Sequence, residues 1–280
     1  MVSFRYHLTS LAAALVALAV GIVVGTTSLS ATPAAAPAAP SGAATATSTS
    51  EEFAEKVQSR LLRNALPDQR VLVLLAPDAP AGSARSVVAA LKTAGSTVTG
   101  QVRLLPTLLD PSGQPTVDGV MKNVAPTAAG ATPLDRAAGL LARALVTSDQ
   151  GTDLTGLEQQ KALGALTGGS LVAGEGALPT ARATLVLLIS GPGRGSALAA
   201  LAAGFQSRVG TVVFAPPAAA HGTGVVAALR NGTAGVSDVD TLGTTQGLVA
   251  AVLALSEQAS GSSGHYGTGP RATAVVPDLG

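Results

Sequence analysis

Arg70-Val71-Leu72-Val73-Leu74-Leu75 carries one charge at its start and none after it, and is closed by Ala76-Pro77-Asp78. The run lacks the polar–apolar alternation of a strand with one wet face. A strand built from it is apolar on both sides, which places it inside a parallel sheet covered by helices above and below. A second run of the same kind, Ala183–Ser190 (ATLVLLIS), lies in the second half of the chain.

The segments around these two runs alternate in type. Ser83 to Ala94 reads as a helix, with Ser83 as its cap and Gly95 as its stop. Thr97–Leu105 reads as a strand whose polar alternation places it at a sheet edge. Helices are expected over Leu134–Val146, Leu157–Leu166, Ser196–Arg208, Gly224–Arg230 and Thr245–Ser260. Strands are expected over Thr211–Ala215 and Val236–Val239, with a last one over Ala272–Val276. The alternation predicts a three-layer α/β domain with a mainly parallel sheet, Rossmann-like or flavodoxin-like, with strand order 2-1-3-4-5.

Composition narrows the function. Aromatics are 2% of residues, so the core has to be built from Ala, Val and Leu. Net charge is +1, without basic blocks or aromatic stacking platforms, which argues against nucleic acid as a partner. Cysteine is absent, which excludes disulfides, thiolate nucleophiles and Cys-type zinc sites.

The N-terminus has a different character. Leu8 to Val24, LTSLAAALVALAVGIVV, is uncharged, and Arg5 precedes it. These residues span about 26 Å as a helix, and the flanking Tyr6 and Gly25–Thr27 bring the segment to membrane-spanning length. Charge on the N-terminal side alone puts the N-terminus in the cytoplasm and the rest outside. A retained anchor and a cleaved signal peptide both fit, and both export the remainder. Residues 1–27 are therefore assigned to the anchor, 28–50 to a disordered tether rich in Ala, Pro, Ser and Thr, 51–66 to a short helix, and 67–280 to an extracytoplasmic α/β domain. In the short helix, Phe53, Val57 and Leu61 fall on one face and are expected to dock.

Candidate chemistry is sparse. Ser190-Gly191-Pro192-Gly193-Arg194-Gly195-Ser196 follows a buried strand and opens a helix, where backbone amides can cradle a phosphate. Its spacing is G-x-G-x-G, however, and a tight turn into a helix is the reading the residues favour. Asp78 ends the first strand, where α/β domains bind ligands, and a loop-capping role is the alternative. Asp238 and Asp240 share one face of a strand and can hold a hard cation, although solvated loop acids are the commoner arrangement. Three histidines are present: His7 at the membrane boundary, His221 in a Pro/Ala loop and His265. His221 and His265 are the metal-ligand candidates, although a surface or hydrogen-bonded histidine is the commoner arrangement for each; Met121 is the only internal methionine, so no Cys/Met cluster for copper(I) exists. No nucleophile elbow or triad spacing points to an enzyme, and no cofactor is expected. Gly264-His265-Tyr266-Gly267-Thr268-Gly269 stands out, because it sets one of the three histidines beside one of the two tyrosines among glycines.

Two segments carry a resemblance. Met1-Val2-Ser3-Phe4-Arg5-Tyr6-His7-Leu8-Thr9-Ser10-Leu11-Ala12-Ala13, running through Val20-Gly21-Ile22-Val23-Val24-Gly25, resembles the opening of the mycobacterial copper transport protein (MctB-like) family. Gly264–Gly269 resembles the same family's C-terminal signature. The resemblance implies an actinobacterial cell-envelope protein in copper efflux or tolerance, described as channel-forming, with copper as a transported ion. It also implies membrane association, and work as a homo-oligomer or with envelope partners. Under it, Gly264–Gly269 is a signature loop joining the last helix to the last strand, with His265 displayed and Tyr266 packed; the alternative, which the residues favour, is that His265 and Tyr266 only pin the tail to the domain. One departure is clear: the tether replaces most of the charged helix that family members carry after the anchor. The alternative is a non-catalytic envelope scaffold or binding module built on a degenerate Rossmann-like domain. A third reading, an enzyme acting on a nucleotide or sugar phosphate at Gly191–Ser196, is the least supported by the residues.

Overall fold

The computed structural model describes residues 57–148, 153–232 and 235–278 of the 280. The expected anchor, the tether and the start of the short helix lie outside the described residues. Among the described residues, no helix is long and apolar enough to cross a membrane.

Residues 57–62 are helical. The docking face differs from the expected one: Leu61 is 39% exposed, whereas Leu62 and Leu66 are fully buried. The helix stops at 62, and the turn after it swings Leu66 into the same contact as Leu62.

From there the chain runs β1 (Arg70–Leu75), α1 (Ser83–Thr93), β2 (Thr97–Leu104), α2 (Pro106–Leu109), α3 (Gln114–Val124), α4 (Pro133–Leu145), α5 (Gly156–Gly168), β3 (Val172–Gly174) and β4 (Leu185–Ile189). It continues through α6 (Gly195–Gln206), β5 (Gly210–Phe214), α7 (Val225–Arg230), β6 (Ser237–Val239), α8 (Thr245–Ala259) and β7 (His265–Tyr266). The seven strands are ordered β3-β2-β1-β4-β5-β6-β7, and only β3 is antiparallel to its neighbour. Without β3, the first five parallel strands follow the expected order.

The apolar runs explain the centre of this sheet. Val71–Leu75 pairs in register with Leu185–Ile189, which pairs in turn with Gly210–Phe214. Leu72, Leu74, Val186 and Leu188 face one side, under α3 to α7. Val71, Val73, Leu185 and Leu187 face the other, under α1 and α8. Every residue of both central strands after Arg70 is buried, because helices cover both faces. Phe205 and Phe214 are the bulkiest of the fully buried side chains, and most of the rest are leucines. Cohesion therefore comes from many aliphatic contacts, each buried Val or Leu contributing about 1.5–3 kcal/mol.

Three expectations are corrected. Thr97–Leu105 is not the sheet edge: β3 pairs with Val102–Leu104 outside it, and Arg103 forms an ion pair with Glu175 at 2.5 Å. The polar alternation of β2 reflects partial cover by that three-residue strand. The last strand is His265–Tyr266 and not Ala272–Val276, which touches the sheet through a single bridge from Ala274 to Tyr266. Ser83 begins α1 but does not cap it; its hydroxyl donates to the Pro80 carbonyl at 2.7 Å.

Two helices, α2 and α3, fall in a stretch with no predicted element. Both start at prolines, Pro106 and Pro115, whose missing N–H costs nothing in a first turn. Because six strands run in parallel, their carboxyl ends share one edge, where Asp78, Gly191, Asp240 and Gly267 gather.

Candidate functional site

That edge carries two polar assemblies. The first is the glycine turn after β4. The carboxylate of Asp78 accepts hydrogen bonds from the amides of Gly191 (3.3 Å) and Gly193 (3.0 Å). A Cβ on Gly191 would lie 2.3 Å from the Asp78 carbonyl oxygen, so the two loops touch backbone to backbone. Arg194 follows with φ 55° and forks onto Asp110, its Nε donating at 2.7 Å and its Nη2 at 3.3 Å. The Arg194 hydrogen bond holds the Asp110 carboxyl below its usual range, and Asp110 raises Arg194 in return. The amides at the phosphate-cradle position are thus held by the protein's own acid. Asp78 takes the loop-capping role. The Ser190 hydroxyl beneath this turn is fully buried and has no hydrogen-bond partner.

The second assembly lies under Gly264–Gly269. Asp238 on β6 and Asp240 just after it point to the same side, as i and i+2 residues of a strand must. They are not solvated loop acids: both are 0% exposed. Between them comes the guanidinium of Arg230, the last residue of α7. Its Nε donates to Asp238 Oδ1 at 2.8 Å and its Nη1 to Asp240 Oδ2 at 2.9 Å. Nη1 also donates to the Pro270 carbonyl and Nη2 to the Tyr266 carbonyl, each at 2.9 Å. With Nη2 also 2.7 Å from Asp238 Oδ1, the fork meets two carboxylates and two carbonyls. This is the arrangement that makes a buried arginine tolerable.

The loop completes the network. The amides of Thr268 and Gly269 donate to the two oxygens of Asp240, each at 2.8 Å. His265 Nδ1 lies 2.5 Å from Asp238 Oδ2. A carboxylate only accepts, so Nδ1 donates and Nε2 becomes the outward nitrogen of a ring 30% exposed to solvent. The Tyr266 hydroxyl donates to Glu257 on α8. Burial, reinforced by that carboxylate, raises the phenol well above its ordinary pKa. The glycines follow from this packing. Gly267 has φ +124°, and a Cβ there would fall 1.9 Å from Asp240 Oδ1. At Gly264 a Cβ would fall 2.2 Å from the Tyr266 hydroxyl.

His265 therefore joins Asp238, but His221 does not. His221 is exposed at the end of a 3-10 turn and takes no part in the network. Met121 is buried in the core on α3, and His7 lies outside the described residues. Among the described residues, no group of three or more His, Cys, Asp or Glu is arranged to hold a metal ion. Arg230 is the residue that sequence reading misses, since an arginine at a helix end looks like an ordinary surface charge. The available signal was two acids at i and i+2 in a short strand otherwise without charge, with an arginine a few residues upstream.

Fold and site together define a mainly parallel α/β domain whose C-terminal glycine loop is locked down by buried charge. The chain belongs to the MctB family of copper transport outer membrane proteins, whose model matches residues 1–277. It is thereby a copper-transport-related protein of the cell envelope. Both segments that carried the resemblance, at the two ends of the chain, lie inside the match. A comparison with curated proteins returns no match.

Proposed function

We propose that the protein is a membrane-anchored envelope component that supports copper efflux or tolerance without catalysing a reaction. The observation that carries this reading is the family match over residues 1–277, which joins the apolar N-terminus and the glycine loop in one protein. In this reading Leu8–Val24 anchors the chain with its N-terminus in the cytoplasm. Residues 28–50 tether a Rossmann-like domain on the outer side. The domain uses its C-terminal loop to display His265, whose Nε2 is the ligand atom offered to copper. One anchor does not enclose a pore, and an open sheet cannot line one in lipid. Conduction of copper accordingly falls to an oligomer of this chain or to envelope partners.

The test is a deletion strain complemented with wild type or with His265→Ala. Wild type is expected to restore copper tolerance and lower cell copper, and His265→Ala to restore neither in full. Unchanged copper handling on deletion overturns the role. Full rescue by His265→Ala removes the ligand from it.

A second reading, a scaffold module with no copper role, draws on the glycine turn being filled by Asp78 and not by a ligand. Reproducible envelope partners in a crosslinked pull-down, together with unchanged copper content on deletion, would favour it.

A further inference from the structure

Helices α4 and α6 pack closely on the sheet face opposite α1 and α8. A Cβ on Gly204 of α6 would come 2.9 Å from the Ala138 Cβ on α4. Beside this contact is a concavity of about 460 Å3. Three guanidiniums line it: Arg136 and Arg143 from α4, and Arg208 just beyond α6. Arg136 and Arg143 are seven residues apart, two helical turns, and so share a face. The other polar side chains of the lining are the hydroxyls of Thr127, Ser148 and Ser207, and no carboxylate is among them. Acids face all three arginines from outside that lining: Asp118 pairs with Arg136 at 2.5 Å, Asp153 with Arg208, and Glu158 lies near enough to Arg143 for its carboxyl to feel that charge. The Nε–H of Arg136 is buried and donates to no hydrogen-bond acceptor. Gly139 sits in the lining between Arg136 and Arg143, and a Cβ there would meet nothing within 4 Å.

Guanidiniums only donate, and hydroxyls readily do so. A concavity lined by these groups selects a ligand made of acceptors, and planar forks suit phosphate oxygens. We propose that the concavity between α4 and α6 is an oxyanion site for a phosphate group bearing two or more charges. A free phosphate compound and a phospholipid headgroup offer the same chemistry.

The test titrates the full chain in neutral detergent with inorganic phosphate, inorganic pyrophosphate and dihexanoyl phosphatidic acid below its micelle concentration. Calorimetry and thermal shift are read at constant ionic strength. Saturable binding by at least one of the three is expected, and whichever binds most tightly assigns the source. Arg143→Gln is expected to weaken it about tenfold, the loss of one charged hydrogen bond. Gly139→Leu keeps all three arginines, removes a helix-interior glycine and fills the space. It should weaken binding at least as much without lowering the melting temperature. On the wild type, the bound anion should protect Arg136, Arg143 and Arg208 from phenylglyoxal and leave the exposed Arg271 reactive. No saturable binding, undiminished affinity in both variants, or unprotected arginines would each overturn the proposal.

Discussion

Arg230→Met removes the guanidinium that bridges two carboxylates of zero exposure, Asp238 and Asp240. Charges left unpaired in such a place cost about 3–5 kcal/mol. The substitution should lower the chemical denaturation midpoint accordingly, and a change below about 1 kcal/mol would show that the clamp is dispensable. His265→Ala takes away a ring that is partly in water while leaving Arg230 on Asp238, so its stability cost should be well below that of Arg230→Met in the same measurement. Tyr266 gives a pH signature. The folded state holds the phenol proton more tightly than the unfolded chain does. Its contribution is full below pH of about 10, the ordinary tyrosine value, and is lost as pH rises above it. Tyr266→Phe should flatten the alkaline fall in melting temperature. An unchanged alkaline limb would mean that other groups govern it. These roles were hidden in the sequence because burial, and not residue type, creates them: Asp238 and His265 look the same on paper whether solvated or clamped.

Helix ends are where local chemistry is easiest to isolate. Thr132 accepts from the Asp135 amide at 3.1 Å, while the Asp135 carboxylate accepts from the Thr132 amide at 3.0 Å, a reciprocal cap on α4. Thr132→Ala should destabilise by about 1 kcal/mol, read from equilibrium unfolding, and a neutral result would place the start of α4 under tertiary control. Elements with a strong apolar signal were legible: β1 and β4 needed nothing beyond their own residues. Elements defined by neighbours were not. The strand β3 exists because β2 has a free edge to pair with, and β7 exists because Asp238 and Asp240 bind the backbone on either side of His265. Ala272–Val276 has better strand residues than His265–Tyr266, yet the amides of Asp238 and Asp240 donate to the carbonyls of Gly264 and Tyr266. Backbone pairing with a fixed buried partner overrides side-chain preference.

Across the whole domain, three exposed or half-exposed carboxylates contribute to the acid limb of stability. Asp110 is lowered by Arg194, Asp118 by Lys122 and Arg136, and Glu158 by the Thr155 amide. A depressed folded value means that these groups stabilise above the ordinary carboxylate range, about pH 4, and lose that effect as pH falls through the folded value. Replacing the three together with Asn, Asn and Gln should shallow the drop in melting temperature between about pH 5 and pH 2. A drop of undiminished steepness would assign the acid limb elsewhere. At this scale the layer arrangement and the parallel order of the central strands were readable, since continuous apolar runs permit little else. The seating of the C-terminal loop was not, because it depends on contacts between residues far apart in the chain.

Arg230, Asp238 and Asp240 all precede α8, whereas the carbonyls and amides that satisfy them come from residues 266–270. A chain emerging from a ribosome therefore carries every helix of the described residues and six of the seven strands before the backbone groups that complete this cluster have been made. A product cut short after Gly261 should therefore keep the buried ion pairs but lack the carbonyls and amides that complete their hydrogen bonds, and limited proteolysis should cleave it faster than the full chain.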